Sequence, residues 1–194
     1  MTRGRVSRLF LNTRSWTAKA EGEGYFKREW LKKIDKVPTN IVASVRSWDL
    51  AASVPTESSP NPDYSAGVKI SRDALGYYYI EHSRRFQKLT DGVIREIIST
   101  AKYDGDEVIV TIPRDTGAGG KTANQFLVRT LAENGVAARS VQMSGHSGKL
   151  QRFLPFCSLA EAGNVYIVEG DWNEDYLLEL ENFTGHRKNV DDQV

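Results

Sequence analysis

The chain has 194 residues, 40% of them hydrophobic and 26% charged, and its 26 Lys and Arg against 25 Asp and Glu leave a net charge of +1. That describes an ordinary soluble globular protein with one full-sized domain and excludes a global polycation, though a local basic patch is enough to steer a polyanion. One cysteine, Cys157, excludes an internal disulfide framework and a thiolate metal site; no membrane-length apolar run or secretory signal is visible, so a soluble, reducing compartment is expected.

Residues 1–20 carry Arg3, Arg5, Arg8, Arg14 and Lys19 and no acid. This reads as a basic arm or the trailing end of a preceding domain; the strand-like Arg8-Leu-Phe-Leu11 argues against a helical transit peptide. Residues 24–34 place Phe26, Trp30 and Ile34 at helical spacing, and Pro38 closes that helix. Ile41, Val42 and Val45 open a strand over residues 41–51. Pro55, Pro60 and Pro62 among Ser, Thr and Asn mark a loop long enough to be functional. A second strand begins near residue 63, turns at Asp73-Ala-Leu-Gly76, and returns as a third over residues 77–83. Leu89, Val93, Ile94, Ile97 and Ile98 predict a helix. Residues 107–112 form a continuous apolar strand, followed by a helix over 122–133 that ends at Gly135, and a short strand over 136–143. A helix over 149–162, in whose apolar run Cys157 sits as a core residue, a strand over 164–168 and an amphipathic helix over 174–183 complete the chain. Three strands in a meander, then helix, strand, helix, strand, is the order of the ribonuclease H-like fold. The expectation is an α/β protein whose mixed sheet, flanked by helices, has at least five strands with residues 41–51 central.

Three acidic positions stand out. Asp49 lies within the first strand of the meander, where a carboxylate needs water, an ion pair or a metal. Asp115 follows the continuous apolar strand, in Thr111-Ile-Pro-Arg-Asp-Thr-Gly-Ala-Gly-Gly-Lys-Thr122. Gly120-Lys121-Thr122 resembles the end of a phosphate-binding loop, but that loop needs glycine at position 115, where an acid would repel phosphate. As a loop residue Asp115 either caps the next helix or belongs to a functional group gathered outside the carboxyl ends of the strands, where the glycines permit close ligand approach. Asp191 and Asp192 are adjacent near the end of the chain, before Gln193 and Val194, which read as a helical start. Such a pair is either a solvated tail or the third member of a set. Three acids from three distant segments suit a two-metal phosphoryl-transfer site for Mg²⁺ or Mn²⁺, since apposed carboxylates repel unless cations lie between them.

The ordered set Trp48-Asp-Leu-Ala51, Asp63-Tyr-Ser65, Ile112-Pro-Arg-Asp-Thr-Gly117, Gly148-Lys149 with Arg152, and Asp191-Asp-Gln-Val194 resembles the nuclease domain of the large terminase subunit of tailed bacteriophages. The resemblance spans residues 40–194. It implies a metal-dependent endonuclease that cuts concatemeric double-stranded DNA during viral genome packaging, in the cytoplasm of the infected bacterial host. It implies Asp49, Asp115 and Asp192 as catalytic acids holding two Mg²⁺ or Mn²⁺ ions, with Asp191 in support. In that family the acidic pair follows a Gly-His directly; here Arg187-Lys-Asn-Val190 intervenes, and no role passes to His186. The resemblance also implies residues 1–40 as the linker and trailing edge of an ATPase motor, with a nuclease domain over 41–194. The ATPase domain, the small terminase subunit and the portal would be partners of the whole protein, the isolated domain being monomeric. Lys121, Arg139, Lys149 and Arg152 are candidates for the DNA groove. Another ribonuclease H-like nuclease of the resolvase or recombinase type, or a non-catalytic DNA-binding or docking module, are the rival readings; metal-dependent nicking separates enzyme from binder.

Overall fold

The computed structural model describes residues 24–114, 117–142, 146–185 and 192–194. Strand β2 (Ile41–Asp49) is an interior strand, next to the central one, of a seven-stranded sheet with β1 (Lys32–Ile34), β3 (Ser65–Asp73), β4 (Tyr78–Phe86), β5 (Val108–Arg114), β6 (Ala138–Gln142) and β7 (Val165–Val168). The order across the sheet is β1-β7-β4-β3-β2-β5-β6. β3 runs antiparallel to β2 and β4, and every other pairing is parallel. The meander and the parallel crossovers expected from the sequence are both present, and β2 lies between them.

Helices α1 (Thr90–Asp104) and α2 (Ala118–Glu133) cover one face of the sheet, and α3 (His146–Glu161) and α4 (Asn173–Asn182) cover the other. The period-2 alternation of a strand divides β2 between them. Trp48 points to the first face and packs with Val93, Ile97, Ile112 and Leu131. Val68, the neighbour across from Ser47, points to the second and packs with Ile80, Phe153, Leu177 and Phe183. Cys157 lies in this second core, as expected for an apolar run. Gly67 stands opposite Trp48, and a Cβ there would sit 2.6 Å from the indole; only glycine lets the ring cross the neighbouring strand. Among the described residues, no helix is long and apolar enough to cross a membrane.

Two expectations are corrected here. Residues 24–34 are not a helix: Arg28–Trp30 form a single 3-10 turn, and Lys32–Ile34 pair in parallel with Tyr166–Val168. The Phe26 and Trp30 spacing is real, but Phe26 and Leu31 reach the core from irregular backbone while the following residues add a strand. Pairing with a waiting sheet edge overrides local periodicity. Helix α2 begins at Ala118, four residues earlier than the sequence suggests, so Gly119, Gly120 and Lys121 form its first turn and not an open loop. Gly117 is its N-cap, the Lys121 N–H bonds the Gly117 carbonyl, and Asn124 ties the helix to the Pro113 carbonyl at the end of β5.

Three residues before Asp49, Arg46 is fully buried on the α1 face. Its guanidinium makes a bidentate pair with Asp104 at the end of α1, at 2.8 and 2.7 Å. It also donates to the carbonyls of Gly67 in β3 and His82 in β4. Burial, then the Arg46 charge, hold the His82 imidazole below its ordinary pKa, so the neutral ring accepts at Nδ1 from Arg46. Removing one partner of such a pair strands a buried charge. Asp104→Ala is expected to lower stability in urea denaturation by about 3–5 kcal/mol, and Arg46→Met combined with Asp104→Leu to recover most of that loss. An equal loss in the single and double variants would show that the pair is not what holds this layer.

Candidate active site

The sheet sets up its functional edge where parallel strands end. Ser44 to Ser47 pair in parallel with Val108 to Thr111, so β2 and β5 finish side by side. Asp49 is the last residue of β2 and not a mid-strand acid. It projects toward the α3 face, and its side chain is 39% exposed because the strand stops there. Beyond it the chain is tied down at once: Ser65 Oγ accepts from the Ala51 N–H at 3.0 Å and donates to the Ala51 carbonyl at 2.6 Å. These bonds clamp the exit of β2 to the entry of β3, which explains why a buried serine opens that strand.

Lys149, in the first turns of α3, reaches across to Asp49 with Nζ 2.7 Å from Oδ2, and its side chain is only 14% exposed. One predicted DNA-groove cation is thus the counter-ion of one predicted metal ligand. Arg152 lies on the same helix and is exposed.

Asp192 reaches this edge from the far end of the chain. Its carboxylate accepts from the backbone N–H of Tyr64, two residues before Ala66, the cross-strand partner of Asp49. Burial pushes the Asp192 carboxyl up to about 6; the Tyr64 N–H and Arg85 pull it down, while Glu179 and Asp63 raise it further. Three acids therefore feel one another here, and the half-buried one holds its proton more tightly than a solvated aspartate does. Carboxylate oxygens are the donor chemistry that a hard divalent cation takes, and of the predicted ligands the described residues place Asp49 and Asp192 at this edge.

Asp115 and Asp191 lie outside the described residues, as does His186. Among the described residues, no three His, Cys, Asp or Glu side chains stand together as a metal cluster. Lys121 is exposed in the first turn of α2, directly after the end of β5. Arg139 is less favourably placed. It pairs with Thr111, three residues back from the Arg114–Gln142 pair that ends these strands, about 10 Å along the sheet at ~3.3 Å per residue.

Sequence reasoning missed several residues of this edge. Arg85 pairs with Ala66, so it occupies the row of Asp49, and its guanidinium lies 3.7 Å over the Tyr64 ring. Gln193 and Glu179, both buried, lie behind Asp192. Gln193 is in a turn, not the start of a helix. The Asp63-Tyr-Ser65 motif was the available signal for this cluster. Nothing in the local pattern marks Arg85, Glu179 or Gln193, because tertiary folding alone brings them here.

No curated protein sequence matches the chain. Solved structures do. The large terminase nuclease from thermophilic phage G20c with bound zinc aligns with 18% identity and a TM-score of 0.52, covering 84% of this chain and 91% of that one. The same phage's enzyme with bound magnesium gives 14% identity and a TM-score of 0.54 over 88% and 92% of the two chains. The nuclease domain of the Thermus phage P74-26 large terminase gives 17% and 0.51 over 80% and 75%. At these identities the likeness establishes the ribonuclease H-like fold. Residues 46–194 also match the sequence family described as the terminase RNaseH-like domain, which covers most of the chain, and the protein belongs to that family.

Proposed function

We propose that this protein is a metal-dependent endonuclease that cuts concatemeric double-stranded viral DNA during genome packaging. The observation that carries the reading is the edge just described: Asp49 at the end of β2, and Asp192 brought beside the entry of β3 from a distant part of the chain. The solved terminase nucleases with bound magnesium, cobalt and zinc support a divalent ion. Asp49, Asp115 and Asp192 would hold two Mg²⁺ or Mn²⁺ ions, with Asp191 in support. When bound, such ions supply charge stabilisation to the attacking and leaving oxygens of an in-line phosphodiester displacement.

The chain's own residues do the rest. Lys149 neutralises Asp49 in the metal-free protein; with a divalent cation held by Asp49, the same ammonium would stand beside the site, placed to meet a phosphate oxygen. Lys121 and Arg152 extend the basic track along the same edge, with Arg139 further down the sheet. The carboxylates of Asp192 and Asp63 repel a DNA backbone until positive charge lies between; metal loading and productive DNA binding are thereby linked. In the whole terminase, residues 1–40 would connect to an ATPase domain that works with a small subunit and a portal in the host cytoplasm.

Supercoiled plasmid is expected to be nicked with Mg²⁺ or Mn²⁺ and left intact with chelator. Asp49→Asn should lower nicking by more than the ~10–100-fold typical of an outer-shell partner, because an amide oxygen carries no charge for a hard cation. Without metal the same change should cost at most about 1 kcal/mol, the scale of a partly exposed ion pair, since Lys149 loses its counter-ion. Mn²⁺ should raise the melting temperature of the parent much more than that of Asp49→Asn; equal shifts would refute the ligand assignment.

Asp192 makes an opposite stability prediction. A folded-state carboxyl raised to about 6 from 3.8 binds its proton more tightly than the unfolded chain does, so its ionised form destabilises the fold. This penalty is absent below the unfolded value, grows as pH rises toward 6, and is complete above it. Metal-free Asp192→Asn should therefore melt higher than the parent at pH 7 and no higher at pH 3.5. A lower melting point for the variant at pH 7 would contradict the electrostatic picture.

DNA affinity should be modest and salt-dependent, with little sequence preference, because net charge is near zero and only a local track releases counterions. Lys121→Ala and Lys149→Ala should each reduce the slope of log affinity against log salt by about one. Tight, salt-insensitive binding to one sequence would point instead to a specific DNA reader.

A further inference from the structure

Glu179 in α4 is a buried carboxylate, 5% exposed, and both of its oxygens accept hydrogen bonds from Gln193. The Gln193 backbone N–H reaches Oε1 at 2.5 Å, and its side-chain Nε2 reaches Oε2 at 2.7 Å. On the other side, Ser83 Oγ in β4 donates to Gln193 Oε1 at 2.5 Å. Gln193 is itself only 7% exposed. The amide thus bridges a helix of one layer and a strand of the sheet, and its main chain is held in the same grip.

Burial of apolar area alone does not require this arrangement. Val194 packs against the core next to it, whereas a leucine at 193 would leave the side-chain hydrogen bonds to Glu179 and Ser83 unmade. A buried carboxylate is costly unless its oxygens are satisfied, and hydrogen bonds to a charged acceptor are worth more than neutral ones. What the polar clasp supplies is position: it fixes the main chain one residue after Asp192. With the Tyr64 N–H holding the carboxylate from the other side, Asp192 is constrained at both its backbone and its head group.

We infer that Gln193, clasped between Glu179 and Ser83, is a positioning residue that sets where the Asp192 carboxylate stands toward a bound divalent cation. This rests on Asp192 being a metal ligand, and the clasp acts on the cation only through it. Partners that orient metal ligands in this way typically govern affinity by ~10–100-fold. The clasp also has a chemical tolerance that a simple packing role would not have. In Glu179→Gln, the new amide oxygen can accept from the Gln193 N–H. The Gln193 amide can then flip, accepting from the new NH₂ and donating to Ser83 Oγ, so the clasp is rebuilt without charge.

The test is calorimetric titration of the full chain with Mn²⁺, run well below each variant's melting temperature and alongside plasmid nicking. Gln193→Leu is expected to bind Mn²⁺ ~10–100-fold more weakly than the parent and to need correspondingly more metal for nicking. Glu179→Gln is expected to stay close to the parent. Folded Gln193→Leu binding Mn²⁺ with the parent's constant would overturn the inference. If Gln193→Leu does not fold, Ser83→Ala replaces it: loss of one bond should weaken Mn²⁺ several-fold, and a parent-like constant would overturn the inference equally. Asp192→Asn separates the two levels. If it binds Mn²⁺ like the parent, the reading of Asp192 as a ligand fails and the clasp's role fails with it. If it loses binding while the clasp variants do not, the clasp alone is wrong.

Discussion

The buried guanidinium of Arg46 is the constraint on which the rest of this molecule depends. It lies in the strand that ends at Asp49, and it bonds β3 through Gly67, β4 through His82 and α1 through Asp104. Desolvating both charges offsets most of their attraction, so the pair adds little net stability over an apolar replacement. Its consequence is register. In an antiparallel meander a slip of one residue turns every side chain to the opposite face. Such a slip here would send Arg46 to the apolar α3 face, leave Asp104 stranded, and turn Asp49 away from Lys149. The wrong register carries two unpaired buried charges, which makes it far more costly than the loss of any one apolar contact. The position of the first acid is therefore secured three residues upstream of it, on the other side of the sheet.

The two described acids at the edge are held in different ways. Asp49 has a cation at contact distance and partial access to water. Asp192 has a main-chain N–H, a neighbouring Arg85, and two other carboxylates. Among the described residues, Asp49 is balanced by one ammonium, whereas burial pushes the Asp192 carboxyl up to about 6.

Much of this was legible in the sequence, and the parts that were not share a cause. The meander and the crossovers follow from β-branched runs, turn residues and periodicity, which are local signals; the end of β2 at Asp49 does not, since the apolar pattern carries that strand on to Ala51. Cys157 was identifiable as a core residue from the apolar run around it. β1 was not, because Lys32–Ile34 becomes a strand only by pairing with β7, more than a hundred residues later. Arg46 gave no sign of its burial: an arginine in a strand reads as surface until Asp104 is known to face it. The start of α2 was misplaced because glycines discourage a helical reading, although the first turn tolerates them. At the edge, the order of motifs drew attention to Asp49, Asp192 and Lys149. Arg85, Glu179 and Gln193 are recruited by topology alone and carry no pattern of their own.

The late arrival of Asp192 has an energetic consequence. Ser83 and Gln193 are 110 residues apart in sequence, so the clasp closes a long loop whose entropic cost is met only after the sheet and α4 have formed. Among the described residues, 192–194 are held by these polar bonds and the packing of Val194. Segments with few contacts open at low free energy compared with the core. Each opening would carry the Asp192 carboxylate away from the Tyr64 N–H, so the position of this acid depends on the sheet and α4 being assembled first.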